Sequence, residues 1–308
     1  MSWVISVSKT NQYHYSVIIV GCGPAGIACA IQLKRSNIDF KIICKKFGGI
    51  ANNANKIENL LGFPNGISGK SFVSLLKQHF KTLSIQFTED NIQNISKENE
   101  NELFHIKCEN GEYFSKFLIV ASGTIPKKLR LNGETKVWRK NLLNYEISHF
   151  TYQKNLKTIA IVGSGDAAYD YALNLTKYPI KIEILQRSEE SKCLPLLQKR
   201  VQDNSNIALI KKIKLLSLIE DKNKIRMKLI RRSKEEIRYY DYMFVAVGRS
   251  PNIKFLSQDL QKGYKKSINL SHLFFIGDVK NKSYRQISIA MGDGVKCAMK
   301  ILSNINEK

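Results

Sequence analysis

Two short glycine-rich segments are the residues of this chain best suited to chemistry. Gly21-Cys22-Gly23-Pro24-Ala25-Gly26 and Gly163-Ser164-Gly165-Asp166-Ala167-Ala168 have the spacing of a turn that binds the pyrophosphate of a dinucleotide. The first glycine of such a turn makes a tight bend, the second lets backbone approach the phosphates, and the third position packs helix on strand. The pyrophosphate then lies at the positive end of the following helix. Two such turns predict two nucleotide cofactors, one able to pass electrons to the other.

The elements around the two turns recur as well. An apolar strand-like run precedes each turn, over residues 15–20 and 158–162, and a helix-like run follows it. Each unit closes with an apolar strand that ends in Ala-x-Gly-x-x-Pro, at residues 121–126 and 246–251. This recurrence predicts a duplicated α/β building plan, in which the two closing segments are natural paired hinges.

Size and composition set outer limits on the class of protein. A chain of 308 residues with 43% hydrophobic residues can bury two cores. The stretch from Met1 to Tyr15 carries Lys9 and few apolar residues, so no secretory signal is expected. The uncharged stretch from Asn11 to Leu33 contains the first glycine turn, which favours a buried strand and helix over a membrane span. We expect a soluble cytoplasmic protein.

The cysteines and histidines predict neither a metal site nor a disulfide framework. The six cysteines are Cys22, Cys29, Cys44, Cys108, Cys193 and Cys297, and none forms a CxxC pair. Dispersed thiols of this kind are expected to be reduced core residues. Cys22 has two interpretations, because it would lie beside a cofactor's phosphates near a helix N-terminus, where thiolate is favoured, yet small residues also suit that turn.

The charge is strongly basic, with 49 Lys and Arg against 26 acidic residues and a formal net charge of +23. Such an imbalance can steer acidic partners such as small electron carriers, nucleic acid or an anionic membrane. A composition biased toward Lys and Asn is an equal explanation. The basic pairs lack interleaved aromatic residues, so no nucleic-acid partner is expected; they are Lys127-Lys128, Lys211-Lys212, Arg231-Arg232 and Lys265-Lys266.

Further segments carry a family resemblance. Phe47-Gly48-Gly49-Ile50-Ala51-Asn52-Asn53 runs into a segment at 57–64, and Leu273 to Val279 precedes Tyr284-Arg285-Gln286. With the two glycine turns in the same order, the chain resembles the low-molecular-weight thioredoxin-reductase-like flavoproteins from Tyr15 to Ser303. The resemblance implies two Rossmann-like domains: a discontinuous FAD domain at 1–123 and 249–308, with an NAD(P)H domain at 124–248 inserted in it. It also implies a homodimer formed through the FAD domains.

The resemblance also assigns cofactor-binding residues and no catalytic side chain, because the flavin carries the chemistry. Asp278 would accept hydrogen bonds from the ribityl chain, unless it is only a turn aspartate. The last helix would point its positive end at the flavin and stabilise the reduced anion. The implied FAD residues are Gly21, Gly23, Ala25, Gly26, Lys45, Gly49, Asn52, Asn53, Asn59, Ala121, Gly277, Asp278, Arg285, Gln286 and Ile287. The implied NAD(P)H residues are Gly163, Gly165, Asp166, Ala168, Arg187 and Lys192.

The chain departs from its relatives at the site that would take electrons from the flavin, here called the electron exit. Thioredoxin reductases carry a CxxC dithiol before the second glycine turn, and this chain has no cysteine between Gly123 and Gly163. Glu146 and His149 stand where the two cysteines would be. They could act as an acid/base pair near the flavin, or simply be solvated on a helix face. Reduction of thioredoxin is therefore not expected.

Two further departures concern the riboses. Cys44-Lys45-Lys46 stands where an acidic residue often binds the adenosine ribose of the first nucleotide, about 20 residues past the turn. In the second unit Leu185-Gln186-Arg187-Ser188 stands at the ribose-reading position, with Lys192 beyond and no carboxylate at the strand end. Cations favour a 2′-phosphate, so NADPH is predicted, with NADH as the alternative.

The sequence thus predicts an FAD-dependent NAD(P)H oxidoreductase that delivers electrons directly to an acceptor it does not identify. Some dithiol-free relatives are ferredoxin- or flavodoxin-NADP reductases, and others act on low-molecular-weight disulfides. Oxygen and quinones also stay open as acceptors. The alternative from another class is a non-catalytic flavoprotein that senses the nicotinamide redox state.

Overall fold

The computed structural model describes residues 13–98, 102–266 and 272–306, so the N-terminal stretch with Lys9 lies outside it. The helices are α1 (Pro24–Arg35), α2 (Gly69–Thr82), α3 (Glu134–Arg139), α4 (Asp166–Leu175), α5 (Pro195–Gln202), α6 (Gln258–Lys266) and α7 (Ile287–Asn306). The strands are β1 (Tyr13–Val20), β2 (Phe40–Cys44), β3 (Thr88–Glu89), β4 (Ile92–Lys97), β5 (Phe104–Cys108), β6 (Glu112–Val120), β7 (Thr124–Pro126), β8 (Leu143–Asn144), β9 (Thr158–Val162), β10 (Lys181–Leu185), β11 (Ile207–Ile210), β12 (Ile213–Asp221), β13 (Lys224–Arg231), β14 (Lys234–Tyr240), β15 (Tyr242–Val245), β16 (Arg249–Pro251) and β17 (Leu273–Phe275).

The chain forms two compact units. Unit 1 consists of Met1–Asn52, Glu58–Ile125 and Pro251–Lys308, and unit 2 consists of Asn53–Ile57 and Pro126–Ser250. Unit 1 is therefore built from both ends of the chain, and most of unit 2 is one continuous insertion. The connecting strands β7 and β16 pair with each other in a two-stranded sheet. The short segment 53–57, which the sequence assigned to the first domain, belongs to unit 2.

Unit 1 contains a mixed sheet whose central strands are parallel. The strand order is β3-β2-β1-β6-β5-β4, and β17 pairs with β6 outside this path. Residues 17–20 of β1 are buried, as an apolar run between two parallel neighbours requires. The end of β6 pairs with β17, so a strand from the far end of the chain completes the sheet beside the first glycine turn.

The first and last helices of unit 1 pack closely against each other. A Cβ added at Gly294 in α7 would lie 2.2 Å from the carbonyl oxygen of Ala25 and 2.9 Å from the amide nitrogen of Cys29, both in α1. Only a glycine allows this approach, because any side chain would overlap backbone atoms. The contact brings α7 against the helix that follows the first glycine turn.

Unit 2 repeats the plan with a smaller sheet. Its strand order is β11-β10-β9-β15-β8, and every pairing is parallel. A separate antiparallel sheet, β12-β13-β14, covers one side with buried residues such as Leu218, Met227 and Leu229. The second glycine turn follows β9 in the middle of the parallel sheet, as the first follows β1. The predicted α/β class with two Rossmann-like units is confirmed.

Neither a membrane span nor a metal cluster is found in the described residues. Within residues 13–98, 102–266 and 272–306, no helix combines the length and apolar character that a bilayer crossing needs. The same part of the chain holds no group of three or more His, Cys, Asp or Glu side chains placed to bind a metal ion.

A buried carboxylate fixes the segment of unit 2 that leads toward the expected electron exit. Glu134, at the start of α3, is only 3% exposed. Its two oxygens accept hydrogen bonds from the amides of Leu129 at 2.9 Å and Arg130 at 2.6 Å. The Tyr145 hydroxyl donates a third bond at 2.7 Å. Because all three donors converge on one side chain, it holds residues 129–130 and 145 together.

Replacing Glu134 by alanine is expected to lower the free energy of unfolding by about 3 kcal/mol, because three donors lose their common acceptor and a buried side chain is removed. Chemical denaturation of the wild type and the variant measures the difference. Glu190→Ala, at an exposed acid of the same unit, serves as the matched control and should stay close to the wild type. A loss below about 1 kcal/mol in Glu134→Ala would show that water satisfies these donors.

Candidate functional site

The first glycine turn has the shape that a pyrophosphate needs. Gly21 adopts a φ of +111°, and a Cβ there would lie 2.4 Å from the carbonyl oxygen of Ala121. Its amide donates to the carbonyl of Ile43 at 2.8 Å, which ties the turn to the end of β2. A Cβ at Gly26 would lie 1.9 Å from the carbonyl oxygen of Gly21. The first and third glycines are therefore required by packing within the protein.

The second glycine of the turn is required for a different reason. A Cβ at Gly23 would meet no protein atom within 4 Å. Gly23 is the N-cap of α1, where the free amides of the first helical turn point outward. The open space in front of this helix N-terminus therefore suits the dinucleotide phosphates that the sequence predicts. Gly23 and the first turn of α1 thus fit a bound pyrophosphate.

Segments distant in sequence meet at this turn. A Cβ at Gly49 would lie 3.3 Å from the Cα of Gly23, and the amide of Gly48 donates to the carbonyl of Cys22 at 2.7 Å. On the other side, a Cβ at Gly277 would lie 2.7 Å from the Cβ of Ala25. The structure thus brings the first turn, the Gly49 loop, Ala121 and Gly277 together in unit 1.

Other residues implied for the FAD site lie on the same unit. The side-chain amide of Asn59 donates to the side-chain oxygen of Gln286 at 2.6 Å, which joins two predicted residues. Asn52 donates to the carbonyls of Phe47 and Gly49 and so holds its own loop. Lys45 is exposed at the end of β2. Asp278 and Arg285 are half-buried, and Ile287 begins α7 as expected.

One carboxylate in this region was missed by the sequence analysis. Asp293 in α7 accepts a hydrogen bond from the amide of Gly277 at 3.0 Å and one from the Asn281 side chain at 2.6 Å. It therefore fixes the tight turn that faces Ala25. An acidic residue inside an otherwise apolar stretch of the last helix was the available signal.

The second glycine turn repeats the geometry of the first. A Cβ at Gly163 would lie 2.4 Å from the carbonyl oxygen of Ala246, and the Gly163 amide donates to Leu185 at 3.1 Å. A Cβ at Gly165 would meet nothing within 4 Å, so the same open space lies before α4. Ala168 at the third position is fully buried. In both turns, therefore, the first glycine packs against a backbone carbonyl and the second glycine faces open space.

A loop at residues 187–194 is held to the second turn by hydrogen bonds from two of its backbone amides. The amide of Lys192 donates to the carbonyl of Ser164 at 2.7 Å, and the amide of Leu194 donates to the Asp166 carboxylate at 2.8 Å. The side chains of Arg187 and Lys192 are exposed. The loop that borders the second turn therefore carries two exposed cations.

Gln186 is withdrawn from that position. Its side chain is 1% exposed and donates to the Tyr169 hydroxyl at 2.6 Å, while its oxygen accepts from the Ser191 hydroxyl at 3.2 Å. Since this network is internal to unit 2, Gln186 is not available at the strand end, whereas the next residue, Arg187, is exposed.

Glu146 lies in a polar cluster rather than on a solvated helix face. It precedes a single 3-10 turn, Ile147–His149, and its side chain is 14% exposed. One oxygen pairs with the Arg249 guanidinium at 2.7 Å, and the other accepts from the side chain of Asn53. Asn53 in turn accepts from the amide of Ser148 at 3.1 Å. The solvated-helix interpretation is wrong for Glu146, because this carboxylate is 14% exposed and pairs with the half-buried Arg249, whereas His149 is exposed.

The expectation that the cysteines are unpaired is also wrong. Cys22 and Cys44 form a disulfide, with their Cα atoms 5.5 Å apart. Because β1 and β2 are parallel neighbours, the turn after β1 and the end of β2 lie at the same edge of the sheet. The other cysteines, Cys29, Cys108, Cys193 and Cys297, are buried free thiols.

The comparisons with known proteins identify the family. Residues 15–294 match the family described as pyridine nucleotide-disulphide oxidoreductase. The chain belongs to this family. It is an NAD(P)H-dependent flavoprotein oxidoreductase, which confirms the predicted enzyme class.

Relatives named in these comparisons agree with that class. The chain is 26% identical to a thioredoxin reductase of Bacillus subtilis over 306 residues, which cover 95% of each protein. It is 25% identical to an NADH dehydrogenase of the same organism over 92% of the chain and 57% of that protein. The solved thioredoxin reductase of Lactococcus lactis is 25% identical, with a TM-score of 0.84 over 96% of this chain and 100% of that one.

The open space at the second glycines leads to a paired prediction. Gly23→Val is expected to leave the unfolding temperature of the flavin-free protein within a few degrees of wild type, because its Cβ meets no protein atom. The same substitution should abolish flavin retention, because the side chain fills the space of the phosphates. The ratio of flavin to protein absorbance after gel filtration measures retention. Gly165→Val is the matched control and should keep the flavin; loss of flavin in both variants would contradict the assignment.

The carboxylate of Asp170 gives a pH-dependent prediction. Burial raises its pKa from 3.8 to about 6, although it accepts a hydrogen bond from the amide of Asn55 at 2.9 Å. The folded state therefore binds more protons than the unfolded state between these values, so stability falls as the pH rises through this window.

Asp170→Asn keeps an acceptor for Asn55 and removes the charge, so it should raise stability at pH 8 by about 2–3 kcal/mol. At pH 4 the gain should shrink toward zero. Thermal and denaturant unfolding at both pH values measures this, with the exposed Asp203→Asn of the same unit as control. A gain that does not depend on pH would contradict the burial argument.

Proposed function

We propose that this protein oxidises NADPH and passes the electrons through FAD directly to an external acceptor, without a dithiol relay. FAD would occupy the first glycine turn and NADPH the second. Bound FAD would supply the redox chemistry, accepting a hydride and releasing electrons. The chain's own residues hold and orient the two nucleotides, and no side chain serves as a nucleophile.

The observation that carries this proposal is the geometry that the two turns share. In each, the first glycine packs against a backbone carbonyl and the second glycine meets no protein atom. Gly23 and Gly165 each face empty space at a helix N-terminus. The further segments that meet at the first turn support the larger cofactor there, since FAD extends beyond its pyrophosphate. The second turn is bordered by the 187–194 loop, which supports a nucleotide that binds and leaves at each turnover.

The two exposed cations support NADPH rather than NADH. In the part of the chain that the structure describes, the exposed side chains of Arg187 and Lys192 form no ion pair, whereas Lys212 pairs with Glu189 at 3.1 Å. Unpaired cations at the strand end suit a 2′-phosphate, and Gln186 is occupied elsewhere.

The environment of Glu146 supports direct electron exit. The position expected for the first cysteine of the dithiol is occupied by a carboxylate held by Arg249 and Asn53. A carboxylate cannot accept electrons from a flavin. The Cys22–Cys44 disulfide belongs to the phosphate-binding turn, so it does not replace the missing relay in this proposal.

The acceptor is proposed to be a small acidic electron carrier protein. The net charge of +23 supports steering of such a partner, as in a ferredoxin- or flavodoxin-NADP reductase.

Exposed apolar side chains on α7, among them Ile289, Val295 and Met299, support the predicted homodimer of FAD domains.

Anaerobic mixing with NADPH tests the enzymatic proposal. We expect prompt bleaching of the flavin absorbance band, followed by recovery when an acidic carrier such as ferredoxin or flavodoxin is added. Unchanged absorbance would favour the non-catalytic redox sensor instead. Recovery with a disulfide, a quinone or oxygen, and none with the carrier, would contradict the proposed acceptor.

Replacing Arg187 or Lys192 by alanine tests the nicotinamide specificity. Each change should raise KM for NADPH about tenfold, the equivalent of one lost charge-assisted contact, and leave KM for NADH unchanged. Steady-state flavin reduction with each nucleotide provides the constants. Lys181→Ala, an exposed lysine at the opposite end of β10, is the matched control. Equal effects on both nucleotides would rule out recognition of the 2′-phosphate.

A further inference from the structure

We propose that the Cys22–Cys44 disulfide is a thiol-redox switch that sets the affinity of this protein for FAD. The inference rests on the proposed function only in that FAD occupies the first glycine turn. It concerns retention of the cofactor and not electron transfer to the acceptor.

The disulfide lies where the predicted FAD segments join. Cys22 is the second residue of the turn, between Gly21, which bonds to the end of β2, and Gly23, which faces the phosphate space. The carbonyl of Cys22 accepts from the amide of Gly48, at the start of the loop that packs on Gly23. Cys44 ends β2, immediately before the exposed Lys45. The disulfide therefore joins the turn to the end of β2, and the hydrogen bond to Cys22 links this junction to the Gly49 loop.

Reduction must move these segments. The two cysteines are 1% and 5% exposed, so protein atoms largely surround the disulfide. Two thiols cannot occupy the places of two bonded sulfurs, because non-bonded heavy atoms need a wider separation. The Cys44 carbonyl is held by the amide of Asp90 at 3.1 Å, and Gly21 stays packed on Ala121. A shift of Cys22 is therefore taken up at Gly23, which meets no protein atom in front of it, and this changes the phosphate site.

The remaining cysteines provide an internal contrast. Burial raises the pKa of Cys108 to about 12 and that of Cys193 to about 11, so these thiols are poor nucleophiles. Cys29 lies beside Cys297, and its pKa is raised by that hydrogen bond and by burial. These four cysteines are free thiols, so among the described residues Cys22–Cys44 is the disulfide that a dithiol can reduce.

The switching reaction is thiol–disulfide exchange with a dithiol. A thiolate of the dithiol attacks one sulfur of the Cys22–Cys44 bond and forms a mixed disulfide, and its second thiol then displaces the protein sulfur. The dithiol is oxidised to a disulfide, and the protein gains two electrons and two protons as two thiols. Because linkage is reciprocal, bound FAD must stabilise the disulfide by the same factor by which reduction weakens FAD.

The test measures FAD dissociation without NADPH. FAD-loaded protein is diluted in buffer with oxidised or reduced dithiothreitol, and the fluorescence of released FAD gives Kd. Alkylation followed by peptide mass analysis reports the state of Cys22 and Cys44. We expect the Kd for FAD to rise about tenfold when the disulfide is reduced. Excess FAD should then lower the midpoint potential of the Cys22–Cys44 couple by about 30 mV, which equals a tenfold change in equilibrium constant for two electrons.

Two variants sharpen the test. Cys44→Ser should have the higher Kd in both buffers, and Cys29→Ser, at a buried thiol outside the disulfide, should respond as the wild type does. If the wild-type Kd values in the two buffers agree within twofold, and alkylation verifies the reduction, the switch is overturned even if no variant folds. Free thiols at Cys22 and Cys44 in oxidised protein also overturn it. Failure to bind FAD in either buffer would instead contradict the proposed function.

Discussion

The structure depends on two places where a backbone carbonyl occupies the space of a missing side chain. Gly21 packs on the carbonyl of Ala121, and Gly163 packs on that of Ala246, each at a distance that no Cβ allows. These contacts set each turn against the strand that closes its unit. Each turn then leaves a helix N-terminus facing open space, which is the geometry that suits the phosphates of a nucleotide.

The two turns share this base but differ in what surrounds them. The first is bordered by the Gly49 loop and by Gly277, and it carries a disulfide. The second is bordered by one loop, held by hydrogen bonds from the amides of Lys192 and Leu194. A covalently fixed site suits a resident cofactor, and a site with one hydrogen-bonded loop suits an exchanging one.

The sequence predicted the features that depend on local spacing. The glycine turns and the flanking strands follow from short motifs whose backbone needs are specific, and the inserted arrangement was implied by the family resemblance. The Cys22–Cys44 pairing was not predicted, because it depends on which strands are neighbours and not on the spacing of the cysteines. The partners of Glu146 were missed for the same reason, since Asn53 and Arg249 lie far from it in sequence.

The completion of unit 1 by β17 and α7 has a consequence for synthesis of the chain. β6 pairs along its last residues with β17, and α7 packs on α1 through Gly294. While a ribosome is still translating the middle of the message, the emerging N-terminal sheet has an unpaired edge and α1 has an uncovered face. Unit 2 emerges almost entirely before these partners do, so it can fold first during translation, and the N-terminal part must stay unassembled until the last segments leave the exit tunnel.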